Sequence, residues 1–226
     1  MDKKVKKCRK IKWLPLLIVL VVVCIILSSI YLLGTIPIKN IYIKGNQYIG
    51  DQEIIEDAKI ENYPSFLKTK SSTIRKNIEK NPYIKKVIVK KGLPAKVFIQ
   101  IEEKKILYRN EETGNIVLED KTELADHNQF QVPILLNYIP DTKYDSFING
   151  MKKVEESILN MLSEIKYDPN EQDEDRFLLH MNDGNDVYLT LTKFKQINYY
   201  EDVLEKLEGK KGILYLDSGN HFQIME

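Results

Sequence analysis

The sequence predicts an α+β protein with one N-terminal transmembrane helix, a β-α-α-β-β domain, and a second mixed, mainly antiparallel β domain with two helices. Three observations carry that expectation. Leu14 to Leu33 is an unbroken apolar run. The next stretch, about 65 residues, switches between strand-like and helix-like hydrophobic periods, and the remainder returns to period-two alternation between turn residues. The expected boundaries are a cytoplasmic basic tail over 1–13, a span over 14–33, a first ectodomain over 36–104 and a second over 105–226.

At 1.5 Å per residue, an apolar helix of about 20 residues covers the roughly 30 Å hydrocarbon layer. Trp13 and Tyr31 bracket the run, where amphipathic rings favour the headgroup layer, and Pro15 falls in the first helical turn, where its missing N–H costs least. Lys3, Lys4, Lys6, Lys7, Arg9, Lys10 and Lys12 precede it, opposed only by Asp2, and such charge stays cytoplasmic. The expectation is a single-pass type II protein of the cell membrane with everything after Leu33 outside. A cleaved signal peptide would show an apolar core of about 7–15 residues and an Ala-x-Ala-like site; neither is present, and Val23 before Cys24 argues against a lipoprotein signal. The other cysteine, Cys8, lies before the span, so the exported part has no disulfide and relies on core packing.

The formal charge of +1 hides three blocks of different sign. Residues 1–13 carry seven basic against one acidic side chain, 39–105 fifteen against eight, and 106–226 twelve against twenty-four. A basic proximal block and an acidic distal block suit different neighbours, because the sign of a surface field selects what approaches it; two merely solvated surfaces remain the alternative. With the basic block outside the membrane, anionic lipid or wall polymer is its expected counterpart, and nucleic acid is not.

In the first ectodomain, Ile41 and Ile43 alternate up to a Gly45-Asn46 turn, giving a strand. Asp51 is placed to cap a helix bearing Ile54, Ile55 and Ala58, and Ser71 or Ser72 a second bearing Ile74 and Ile78. After Asn81-Pro82, Val87 and Val89 alternate, Gly92-Leu93-Pro94 turns, and Val97, Ile99 and Ile101 alternate again.

This order resembles the polypeptide-transport-associated (POTRA) domain that follows the membrane span in the FtsQ/DivIB family of bacterial cell-division proteins. Ile41-Tyr42-Ile43-Lys44-Gly45-Asn46 is similar to the family's opening strand and Gly-Asn turn. Asn81-Pro82-Tyr83-Ile84, Val87, Val89, Leu93-Pro94-Ala95 and Ile99-Gln100-Ile101-Glu102-Glu103 resemble its closing pattern.

In the second ectodomain, Ile106–Tyr108 and Ile116–Leu118 flank a polar turn and predict a hairpin. Ile148, Met151, Ile158, Leu159 and Leu162 follow helical spacing from an Asp145 or Ser146 cap. Ser163-Glu164-Ile165 resembles the segment after this helix in the family's distal domain. Phe177, Leu179 and Met181, then Val187, Leu189 and Leu191, flank Asn182-Asp183-Gly184-Asn185 as a hairpin. A helix bearing Phe194, Ile197, Leu204 and Leu207 ends before Gly209. Strands over 213–216 and 222–225 meet at a Ser218-Gly219 turn that is again similar to the family's end.

Catalysis finds little support. Ser163-x-x-Lys166 and Ser218-x-Asn220 match two penicillin-binding-protein motifs, but no Lys-Thr-Gly follows. His127, His180 and His221 lack metal-ligand spacing, and no phosphate loop or nucleophile elbow occurs. The expectation is a protein that is not an enzyme and holds no cofactor or metal.

The resemblance implies a divisome scaffold, enriched at the division septum, that binds FtsL-like and DivIC/FtsB-like division proteins and helps regulate septal cell-wall synthesis. Its partner-binding strand region carries over to Ile213, Leu214, Tyr215, Leu216, Asp217, Ser218 and Gly219, with Phe222 behind them. Tyr199 and Tyr200 are lesser candidates, with one ring expected to pack inward. That 213–216 is sheet-internal remains open, as do an exported cell-wall-binding module and a polypeptide-transport or chaperone module.

Overall fold

The computed structural model describes residues 13–207 and 209–225. The basic tail through Lys12, with Cys8, lies outside them. Helix α1 (Trp13–Gly34) is apolar on every side and has no buried residue, and its 22 residues are long enough to cross a membrane. Three residues, 35–37, separate it from Ile38, the first core residue beyond. Ser65 Oγ donates to the Gly34 carbonyl at 2.6 Å across that short link. The chain forms two compact units that part between Glu103 and Lys104.

The first unit runs β1 (Asn40–Lys44), α2 (Asp51–Asp57), α3 (Ser71–Ile78), β2 (Ile84–Gly92) and β3 (Lys96–Glu103). Its sheet has the order β1-β3-β2, with β1 parallel and β2 antiparallel to β3. Val87, Val97, Ile99 and Ile101 turn inward to meet Ile54, Ala58, Ile74 and Ile78 of the two helices. The expected caps are displaced by one residue or more. Gly50 and Lys70 take the extended N-cap conformation, so Asp51 and Ser71 already lie inside the first turn and make no capping bond. Asp51 accepts from Asn46 Nδ2 at 2.9 Å instead.

Two contacts fix how β1 leaves the sheet. Gly45 has φ +87°, and a Cβ there would stand 2.2 Å from the Ile101 carbonyl oxygen, so only glycine fits. The Glu103 carboxylate, at the end of β3, accepts the backbone N–H groups of Gln47, Tyr48 and Ile49 at 2.9, 2.7 and 3.1 Å.

The second unit is built on a nine-stranded sheet: β4 (Ile106–Asn110), β5 (Asn115–Leu118), β6 (Glu123–Ala125), β7 (Ile134–Leu135), β8 (Leu162–Tyr167), β9 (Arg176–Met181), β10 (Asp186–Thr190), β11 (Gly212–Tyr215) and β12 (His221–Ile224). Their order is β12-β11-β10-β9-β8-β7-β4-β5-β6. One face carries the core, where Phe177 of β9 stacks on Phe147 at 5.2 Å and both rings meet Phe194 edge-on.

Each of the two expected helices is divided. The first becomes α4 (Asp141–Met151) and α5 (Glu156–Met161), and Leu162 opens β8 rather than closing a helix. Asn198 holds the break open: its Oδ1 accepts from Glu155 N and its Nδ2 donates to Lys153 O, both at 2.9 Å. The second is a 3₁₀ helix over Leu191–Tyr199 followed by α6 (Tyr200–Leu207). Gly150 lies so close to Phe194 that a Cβ would meet its ring at 2.9 Å.

Replacing Glu103 by Ala removes a charged acceptor from three backbone N–H groups, the Ile49 one buried. The expected loss is about 2–3 kcal/mol of stability, read from urea denaturation together with faster amide exchange at residues 47–49. Unchanged exchange there would contradict the assignment.

Candidate partner-binding edge

A sheet of this order ends in two strands with one unpaired side each, β12 and β6, and β12 is the one beside the strand region that the resemblance selects. It pairs antiparallel with β11 in the register His221↔Tyr215, Phe222↔Leu214, Gln223↔Ile213 and Ile224↔Gly212. Met225 N donates to Lys211 O at 2.9 Å. Antiparallel ladders alternate hydrogen-bonded and non-bonded pairs, so His221 and Gln223 also spend their backbone groups on β11. Phe222 and Ile224 therefore point their N–H and C=O groups to the open side. The Phe222 ring packs against the core, whereas Ile224 and Met225 are exposed.

The strand region that the resemblance selects, 213–216, is sheet-internal, the alternative the sequence left open. Residues 213–215 lie in β11, which pairs with β10 on one side and β12 on the other, so their backbone is fully used. Leu214 and Leu216 are buried. Leu216 N donates to Tyr188 O at 2.8 Å, while the Asp217 carboxylate accepts Arg176 Nε at 2.9 Å with its side chain almost wholly covered. Ile213 and Tyr215 are half-buried on the outer face, and Ser218 and Gly219 form the exposed turn, Gly219 at φ +115°. Tyr199 is exposed and Tyr200 is fully buried.

Tyr200 belongs to a polar network beneath β11 that the sequence reading missed. Asn185, 1% exposed, accepts from Gly212 N–H at 2.9 Å and donates to the Tyr200 hydroxyl at 2.9 Å and to Asp183 at 3.0 Å. The Tyr200 hydroxyl also reaches Asp183 Oδ2, at 2.9 Å. Burial above all, and Asp183 beside it, push the Tyr200 hydroxyl above its ordinary pKa although Asn185 pulls the other way, so it stays a donor at neutral pH. Asn182 to Asn185 signalled a turn in the sequence; nothing there signalled that Asn185 faces inward.

Residues 36–104 match the FtsQ-type POTRA domain, and residues 111–218 match the C-terminal domain of cell division protein FtsQ/DivIB. Cell division protein DivIB of Bacillus cereus is 30% identical, over 80% of this chain and 74% of that protein. The chain belongs to the FtsQ/DivIB family. DivIB of Bacillus cytotoxicus is 28% identical over 84% of this chain and 77% of its own, and DivIB of Bacillus subtilis is 28% identical over 97% and 88%. This is a cell-division protein with an N-terminal apolar helix, a POTRA domain and a β-rich distal domain.

The POTRA domain offers a second surface. On the face of its sheet away from the core, Tyr42 of β1 stacks on Phe98 of β3 with centroids 5.1 Å apart and planes 12° apart, and both rings are exposed. Cross-strand register sets Lys90 beside Phe98, and Lys44, Gln100 and Ile88 in the next row. These residues line a shallow groove. Among the described residues, no group of three or more His, Cys, Asp or Glu side chains is arranged to hold a metal ion.

A Cβ on Gly212 would meet the Gln223 carbonyl oxygen at 2.0 Å and the Phe222 ring at 2.7 Å. Gly212→Ala is expected to lift β12 from β11 while leaving β8 and β9 in place. Hydrogen exchange checks this: the Met225 amide loses protection and the Leu179 amide does not.

Proposed function

We propose that the chain is a non-catalytic divisome scaffold whose distal domain receives a strand from FtsL-like and DivIC/FtsB-like partners along β12. The observation that carries this reading is the open edge itself, with the backbone groups of Phe222 and Ile224 unpaired by the sheet and an exposed apolar end at Ile224 and Met225. Strand addition takes its affinity from such main-chain groups and its selectivity from alternate side chains. Membership in a family of cell-division proteins supplies the setting. In this reading the amino terminus is cytoplasmic, both ectodomains are outside, the protein is enriched at the septum, and its partners couple it to control of septal cell-wall synthesis.

Proline separates the edge from the fold. At Ile224 it removes an outward N–H without touching the ladder to β11, a position where edge strands tolerate it. The full chain is expected to co-purify with the FtsL-like and DivIC/FtsB-like proteins, and Ile224→Pro to weaken capture by about tenfold or more with an unchanged melting temperature. Equal capture by both would place the site elsewhere. No capture by the unaltered chain would remove the scaffold reading.

The outer POTRA face favours one further role, contact with anionic lipid, because exposed rings beside lysines suit a headgroup layer. Residues 36–105 are expected to float with anionic vesicles at low salt and much less with zwitterionic ones, and Lys44→Glu with Lys90→Glu to abolish the difference. Flotation indifferent to lipid charge would count against it.

A further inference from the structure

The outer face of the distal sheet carries a column of stacked groups that ends at the open edge. Register places Leu178, Tyr188, Tyr215 and His221 in one row across β9, β10, β11 and β12. Arg176, which pairs with Thr190, reaches diagonally so that its guanidinium carbon lies 3.5 Å from the Tyr188 ring centroid. Tyr188 stacks on Tyr215 at 5.5 Å and 21°, and Tyr215 on His221 at 4.7 Å and 9°. The far end is anchored, because Arg176 is also ion-paired with Asp217 at 2.9 Å and Asp168 at 3.3 Å. The near end is not: His221 is exposed on the last strand, with one ring face against Tyr215.

A strand added to β12 would lie about 4.8 Å farther out, close to the spacing of the rings already stacked. Because Phe222 and Ile224 supply the outward backbone bonds, His221 occupies a non-bonded position toward an antiparallel newcomer. At such positions facing Cα atoms stand about 4.5 Å apart and the side chains are closest. We infer that the partner strand added to β12 carries an aromatic residue opposite His221, whose ring continues the Arg176–Tyr188–Tyr215–His221 stack. This rests on the strand-addition reading above and narrows it. The open edge gives affinity to any extended chain, whereas the stack selects one with a ring at a single register position and so also fixes that register.

The test uses the full chain with the division partners of the co-purification experiment. His221→Ala is expected to weaken capture about three- to tenfold, and His221→Tyr to preserve it, with the Met225 amide equally protected in both. Replacing the partner's strand aromatics one at a time by Ala should reveal one whose loss weakens binding to the unaltered chain but not to His221→Ala, the coupling that a double-mutant cycle isolates. Capture that depends on Ile224 but ignores His221→Ala would overturn the stack and leave the edge standing. Capture that falls equally in His221→Ala and His221→Tyr, with no coupled partner ring, would also overturn it. Dimerisation of the chain alone that His221→Ala abolishes would give the position to a second copy instead. If the unaltered chain captures no partner, strand-addition reading and stack fall together.

Discussion

The distal half of the molecule depends on how closely β12 can approach Gly212. A carbonyl oxygen passes where any other residue would carry its Cβ, so the final strand can seat only because that position is bare. The Gly212 amide is fixed from the opposite side by Asn185, which Tyr200 and Asp183 hold in turn. A buried amide satisfied on both its carbonyl and amino sides has one orientation, and an unpaired one would be costly. The hairpin turn after β9, the start of α6 and the start of β11 are thereby locked together, and the position of the open edge follows from that lock rather than from any contact within β12.

The first unit solves a similar problem with a charge. The chain leaving β1 must turn without a regular element to satisfy its amides, and Glu103 supplies one carboxylate for three of them. Charged acceptors make stronger bonds than neutral ones, which suits a loop whose amides have no regular element to pair with. Gly45 permits the turn and Glu103 fastens it. The two residues are far apart in sequence and act on the same corner.

What the sequence disclosed follows physical signal strength. The span, the β-α-α-β-β order and the long alternating strands were legible because Val97, Ile99 and Ile101, or Phe177, Leu179 and Met181, repeat with a period that only one geometry satisfies. β6 and β7 are three and two residues long and show no period at all. The helical stripe through Ile148 and Leu162 was real in burial but not in continuity, since Asn198, remote in sequence, satisfies the groups freed by the break. Strand order is a long-range property, so whether β11 or β12 stands at the edge was not encoded in either strand's alternation. For the same reason the Tyr188–Tyr215–His221 row emerges only once the register of four strands is known.

The link between Gly34 and Ile38 and the parallel pairing of β1 with β3 together determine how the POTRA domain responds to tension. Pulling on α1 loads β1 at Asn40, the start of the strand, while the rest of the chain departs from Glu103, the far end of β3. In a parallel pair those are opposite ends, so the strands are sheared along their length and the bonds of all five paired positions from Asn40 to Lys44 share the load at once. An antiparallel pair pulled from one end would unzip bond by bond. Glu103, clamping the loop just beyond β1, sits where that force leaves the domain, so the load exits at the same corner that its carboxylate holds closed.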